Sequence, residues 1–191
     1  MSAKLVPSPG DRLRDAALSL LDGGGPIMET ARLASDLLAE ADLPAVVVGG
    51  VSVILNGHLR TTRDVDIFVP GDLRPVAAAL IAAGFAHDPI RREFVRELIP
   101  VHLVTPDQAG VAEVRSVEVD GIRTATLADL IAMKLRSGTT NLLRAQDLAD
   151  VIGLARHHQL TGEFAARLDK SLRPAFRKIA RALRDERPPI G

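Results

Sequence analysis

The stretch Val46–Pro70, VVVGGVSVILNGHLRTTRDVDIFVP, decides how the rest of the chain is read. Its opening valines form a continuous β-branched run, as expected of a central strand covered on both faces. The run ends at Gly49-Gly50 and passes into a short helix predicted from Val51 to Asn56, with Gly57 as its C-terminal cap. After an Arg-rich turn, DVDIFVP reads as a second strand. Side chains alternate along a strand, so Asp64 and Asp66 share one face while Val65, Ile67 and Val69 point into the core from the other. Two carboxylates on an apolar strand are costly without compensation. One divalent ion, or an adjacent pair, would supply it. Pairing with Arg60 and Arg63 is the alternative. The glycine pair is open to two readings as well: a tight turn, or a device that lets backbone N–H groups approach a phosphate closely.

Around this stretch the pattern is that of an α/β core with helical flanks. Helices are predicted at Asp11 to Leu21 and Glu29 to Ala41, separated by the breaker run DGGGP. Downstream of Pro70, DLRPVAAALIAAG reads as an amphipathic helix, and FVREL and IPVHLVTP as strands. EVRSVEVDGIRTAT reads as a hairpin turning at Asp120-Gly121. From Thr126, a candidate N-cap, four helices follow: TLADLIAMKLRSG, NLLRAQDLADVIGLARHHQ, GEFAARLDK and RPAFRKIARALRDE. The resulting division is a helical flank over 1–43, a core over 44–125 and a helical section over 126–191.

Lys134 is the unexpected residue of the helical section. Leu127, Leu130 and Ile131 define the apolar stripe of its helix, and the helical period places Lys134 on that same face. It either snorkels past the core or meets an anionic partner. Asp147 and Asp150, three residues apart, share a helix face flanked by Leu143 and Leu154. They either serve a site or pair with Arg144 or Arg136. His157 and His158 read as surface residues.

Composition narrows the classes. At 191 residues the chain can bury one proper core. It has 24 Lys plus Arg against 24 Asp plus Glu, so no global field draws it to nucleic acid. Basic residues do concentrate after Phe164, where a solvated helix face is favoured over a phosphate contact. With no Trp or Tyr and only 5 Phe, stacking platforms for single strands are largely missing. The absence of Cys excludes disulfides and thiol chemistry and fits a reducing compartment, so a cytoplasmic location is expected. Neither a signal peptide nor a membrane-spanning segment is expected.

Taken together, Gly49-Gly50, the thirteen residues Val51 to Arg63, and then Asp64-Val65-Asp66-Ile67 resemble the signature of the nucleotidyltransferase superfamily, whose fold is shared with DNA polymerase beta. The stretch looks most like the small bacterial toxins of the AbiEii type, and less closely like the aminoglycoside and lincosamide nucleotidyltransferases. In AbiEii-like proteins a helical lysine is followed by a D-x-x-D pair, matched here by Lys134 and by Asp147 and Asp150. The resemblance implies an α/β (α+β) nucleotidyltransferase fold, with a mixed β-sheet core between an N-terminal helical flank and a C-terminal helical section. It implies an NTP bound with Mg2+, or Mn2+, on Asp64 and Asp66, and pyrophosphate release. Phosphates would be held by Gly49, Gly50, Ser52 and Lys134, with Arg60 and Arg63 adding charge-assisted contacts. The acceptor would be tRNA or another RNA, a protein or a small molecule, and an antitoxin partner would restrain the enzyme.

Such proteins also carry a third carboxylate on a later strand. The corresponding stretch here is PVHLVTP, where Val101 and Leu103 face the core and His102 takes the acid's face. A neutral imidazole suits Mn or Zn better than Mg. Three readings stay open: His102 acts as general base, an acid such as Glu93, Glu97 or Glu118 swings in, or the protein binds nucleotide without transferring it. The functional alternatives to a toxin-like transferase are a non-catalytic nucleotide-binding protein with a degenerate site and an antibiotic-modifying nucleotidyltransferase.

Overall fold

The computed structural model describes residues 24–186. The helix expected at Asp11 to Leu21 lies outside these residues. Helix α1 (Pro26–Glu40) leads into β1 (Val46–Val48), α2 (Gly49–Leu55), β2 (Val65–Phe68) and α3 (Leu73–Ala82). Then come β3 (Ala86–Asp88), β4 (Glu93–Arg96), β5 (Ile99–Val104), α4 (Pro106–Ala109), β6 (Ser116–Val119) and β7 (Ile122–Ala125). The chain closes with α5 (Leu127–Thr140), a 3-10 turn (Leu142–Arg144), α6 (Ala145–His157), a second 3-10 segment (Gly162–Arg167) and α7 (Arg173–Glu186). None of the described helices is long and apolar enough to cross a membrane.

The strands form one seven-stranded mixed sheet in the order β3-β4-β5-β2-β1-β7-β6. β1 runs antiparallel to β2 and parallel to β7, and β2 runs parallel to β5. Both faces of the central strands are covered. Val47, Val65, Ile67 and Val101 pack with α1 and α3, whereas Val46, Val48 and Phe68 pack with Leu130, Leu154 and Phe176 from the C-terminal helices. The continuously apolar β1 follows directly, since every one of its residues meets a core.

Several details depart from the sequence expectations. α2 begins on the glycine pair rather than after it. The helix expected from NLLR onward is split: Asn141 caps a 3-10 turn through its side chain, and Leu142 and Leu143 stand 94% exposed, so Leu143 does not flank Asp147 on a helix. GEFAAR is a 3-10 segment, not an α-helix. β3, an exposed edge strand of Ala-His-Asp, has no apolar alternation to announce it; it is held by pairing with β4 and by His87 stacked on Phe94.

Candidate active site

Alternation on β2 sends Asp64, Asp66 and Phe68 toward the C-terminal helices. Phe68 is buried there, while the two acids open into a cleft of about 780 Å³. His102 on β5 stands beside Asp66 in the parallel register. Its Nδ1 lies 3.5 Å from Asp64 Oδ2 and 3.6 Å from Asp66 Oδ1, and its Nε2 lies 3.3 Å from Glu93 Oε2. One ligand atom from each of Asp64, Asp66 and His102 can be chosen so that all lie within 4.8 Å of one another. Two carboxylate oxygens and an imidazole nitrogen at that spacing make a donor set that fits a divalent cation. Glu93 is the one alternative acid in contact with the centre; Glu118 lies on β6, at the far edge of the sheet.

Three carboxylates around one imidazole favour its charged form. The Asp66 carboxylate, opposed by partial burial and helped by Glu93 and Asp64, raises the His102 pKa to about 9. In the metal-free protein an NMR titration of the His102 ring is therefore expected to show a midpoint near 9, and Asp66→Asn should return it toward the ordinary histidine range of about 6.5. The sign for stability follows. A raised pKa contributes stability that is full below the unfolded value and fades as pH rises through about 9. A midpoint near 6.5 in the wild type would show that the carboxylates do not act on the ring.

The glycine pair has a local reason. Gly49 has φ +64°, and a side chain there would run into the Asp66 carboxylate; one at Gly50 would run into the Thr62 side chain. Thr62, itself buried, in turn donates its hydroxyl to Asp64 Oδ1 at 3.1 Å. The glycines thus make room for the acids and their support, and both also line the cleft. Gly49→Ala is expected to cost about 1–2 kcal/mol from the left-handed backbone alone and to displace Asp66. Calorimetric Mn2+ titration should show weakened binding together with a lowered Tm; unchanged binding would rule out the displacement.

On the opposite wall, Lys134 is buried with its Nζ 2.7 Å from Asp147 Oδ1 and 2.8 Å from Asp150 Oδ2. Its anionic partners are therefore these two aspartates. Asp150, fully buried, also meets Arg60 Nε at 3.0 Å and receives Gln146 Nε2 at 3.1 Å. Asp147 receives Arg144 Nε at 2.9 Å. Burial pushes the Asp147 carboxyl up, but Lys134, by hydrogen bond and charge, together with hydrogen bonds from Ser137 and Arg144, holds the group below its ordinary value. Arg136 pairs with Asp169 instead.

Gly49, Gly50, Arg60, Lys134 and Asp147 line the cleft together with Asp64, Asp66 and His102. Two expected phosphate ligands do not. Ser52 is fully buried with its hydroxyl 2.8 Å from Thr124 Oγ1, because the α2 turn packs it against β7. Arg63 is exposed and outside the cleft, in the bend that precedes β2. Arg91, Arg92 and Arg144, which sequence reasoning did not select as site residues, do line it. Their only signal was positive charge near a turn.

This geometry meets a family model. Residues 27–168 match the family DUF6036, described as nucleotidyltransferase of unknown function. The chain belongs to this nucleotidyltransferase family. Solved structures agree on the fold. The crystal structure of ANT(2")-Ia in complex with adenylyl-2"-tobramycin superposes with a TM-score of 0.52 and 17% identity, covering 79% of this chain and 95% of that one. JHP933 from Helicobacter pylori gives 0.50 and 16%, covering 84% and 91%. An antigenic nucleotidyltransferase-like protein from Paracoccidioides brasiliensis gives 0.51 and 12%, covering 83% and 87%. No curated protein matches the sequence. At these identities the likeness is one of fold, and within it the mixed sheet of this nucleotidyltransferase is as expected.

Proposed function

We propose that this protein is a working nucleotidyltransferase that moves a nucleotidyl group from an NTP to an RNA or protein acceptor, in the manner of AbiEii-type toxins held in check by an antitoxin partner. The observation that carries the reading is the convergence of Asp64, Asp66 and His102 in one cleft with the glycine turn and a lysine. Asp64 and Asp66 would hold Mg2+ or Mn2+, which would supply charge neutralisation at the reacting phosphate. Gly49, Gly50 and Arg60 line the side where the phosphates would lie. Lys134 donates a hydrogen bond to Asp147, pairs by charge with Asp150, and lines the cleft, where its ammonium can also meet a phosphate. The acceptor oxygen attacks the α-phosphorus, the bond to the β-phosphate oxygen breaks, and pyrophosphate leaves. Catalysis of this kind is mostly positioning and charge stabilisation.

The alternative of a nucleotide-binding protein without transfer rests on His102 in the acid's place. Against it, the imidazole points at the two aspartates instead of into packing. The test is labelled-NTP incorporation in a cell extract, with each of the four NTPs and with Mg2+ or Mn2+. Label in RNA or in protein names the acceptor class, and label in a small molecule would favour the antibiotic-modifying reading. No incorporation with any NTP and either metal, despite nucleotide binding, sinks the enzyme.

A further inference from the structure

The carboxylate Glu93 gives His102 a defined orientation. Glu93 begins β4, which pairs with β5 through a tight hairpin in the register Phe94↔Val101, and this brings Glu93 alongside His102 on the neighbouring strand. Its side chain is only 11% exposed, and Oε2 lies 3.3 Å from His102 Nε2. Both ring nitrogens face carboxylates, which accept and do not donate, so in the metal-free protein Nε2 can donate to Glu93 and Nδ1 toward Asp64 and Asp66. A cation held by Asp64 and Asp66 would displace the Nδ1 proton while Glu93 keeps the one on Nε2, which turns the Nδ1 lone pair to the cation. A carboxylate behind a histidine whose other nitrogen faces a pair of acids is the arrangement by which proteins orient imidazole ligands toward metals.

Building on the nucleotidyltransferase reading, we propose that His102 is a metal ligand through Nδ1, positioned by Glu93, and that this third ligand makes the site select Mn2+ over Mg2+. Mg2+ demands oxygen donors in near-ideal geometry and dehydrates reluctantly, whereas Mn2+ accepts an imidazole nitrogen at little cost. The role assigned to Glu93 is positioning: it touches the ring, not the metal. His102 as a ligand leaves Nδ1 committed, so deprotonation of the acceptor falls to another group or to solvent.

The decisive experiment uses the full chain and Mn2+ alone, with neither NTP nor acceptor. Mn2+ affinity is read from the free-ion EPR signal, Mg2+ affinity by competition, and nitrogen ligation by pulsed EPR. The wild type should show a 14N coupling to Mn2+. His102→Asp should abolish the coupling and lower the Mn2+ to Mg2+ affinity ratio by about tenfold or more, because it exchanges nitrogen for oxygen. Glu93→Ala should weaken Mn2+ binding by about 10- to 100-fold, and Glu93→Gln, which keeps an acceptor for Nε2–H, should recover part of it. Circular dichroism and Tm identify variants that fail to fold, and the wild-type coupling is independent of all variants. Bound Mn2+ without 14N coupling, or a ratio unchanged in His102→Asp, overturns the proposal and leaves the aspartate site standing. Mn2+ binding that survives Asp64→Asn with Asp66→Asn, or no binding by the wild type, overturns the metal reading and this proposal together.

Discussion

Replacing Asp64 and Asp66 together by alanine is expected to reduce nucleotidyl transfer by at least about a thousandfold while the protein stays folded. Charge neutralisation by a bound divalent ion is worth several kcal/mol in the transition state, and each 1.4 kcal/mol is about a factor of ten. The two side chains remain 37% and 27% exposed and contribute nothing to either core. Removing them relieves the repulsion between neighbouring acids and also takes away the carboxylates that hold His102 in its charged form, two changes of opposite sign for stability. A metal-free Tm close to the wild-type value, with label incorporation at background, is the paired result to look for. Transfer within tenfold of the wild type in a folded double variant would place the chemistry elsewhere.

The second large effect concerns stability. Asp150→Ala should destabilise the fold by about 3–5 kcal/mol, because it leaves Arg60 without its buried counter-charge and Lys134 with Asp147 alone. For a chain of this size that is a fall in Tm of roughly 10 °C. The reasoning turns on burial: Asp150 is 0% exposed and Lys134 is 7% exposed, so solvent does little to replace the lost carboxylate. The exposed pair Arg184–Asp185 provides the contrast, and its disruption should shift Tm by less than about 2 °C. Thermal unfolding of both variants side by side decides the matter; equal, small shifts would show that water reaches the Lys134 cluster. The same network links α5 and α6 to the chain just before β2, so the loss should appear in cleft geometry as well as in Tm.

What could be read from the chain, and what could not, divides along physical lines. A strand has a fixed period of two, which placed Asp64 with Asp66; for His102 the same period served only once the nucleotidyltransferase resemblance had matched its strand to theirs. A helix has a fixed period as well, which put Lys134 on a buried face. Its partners, thirteen and sixteen positions on, depend on how α5 and α6 pack, and no local pattern encodes that. Ser52 looked available because it follows the glycine pair, but helix phase turned it onto Thr124. Glu93 was legible as an acid and not as the neighbour of His102. The hairpin that joins them turns at Glu97 and Leu98, with φ of 48° and 72°, where Asn-Gly would ordinarily announce such a turn. With no turn signal, the register of β4 on β5 was hidden, and the contact with it.

The clamping of β1 and β2 between two separate cores bears on how the site fails. Val47, Val65 and Ile67 are fixed from one side and Val48 and Phe68 from the other, all at 2% exposure or less. Backbone amides here exchange with solvent only when both layers come apart, which is to say at the free energy of global unfolding. Opening confined to the strand beneath Asp66 has no inexpensive route. Damage elsewhere in the molecule will therefore thin the population of folded copies before it loosens the geometry of any single one.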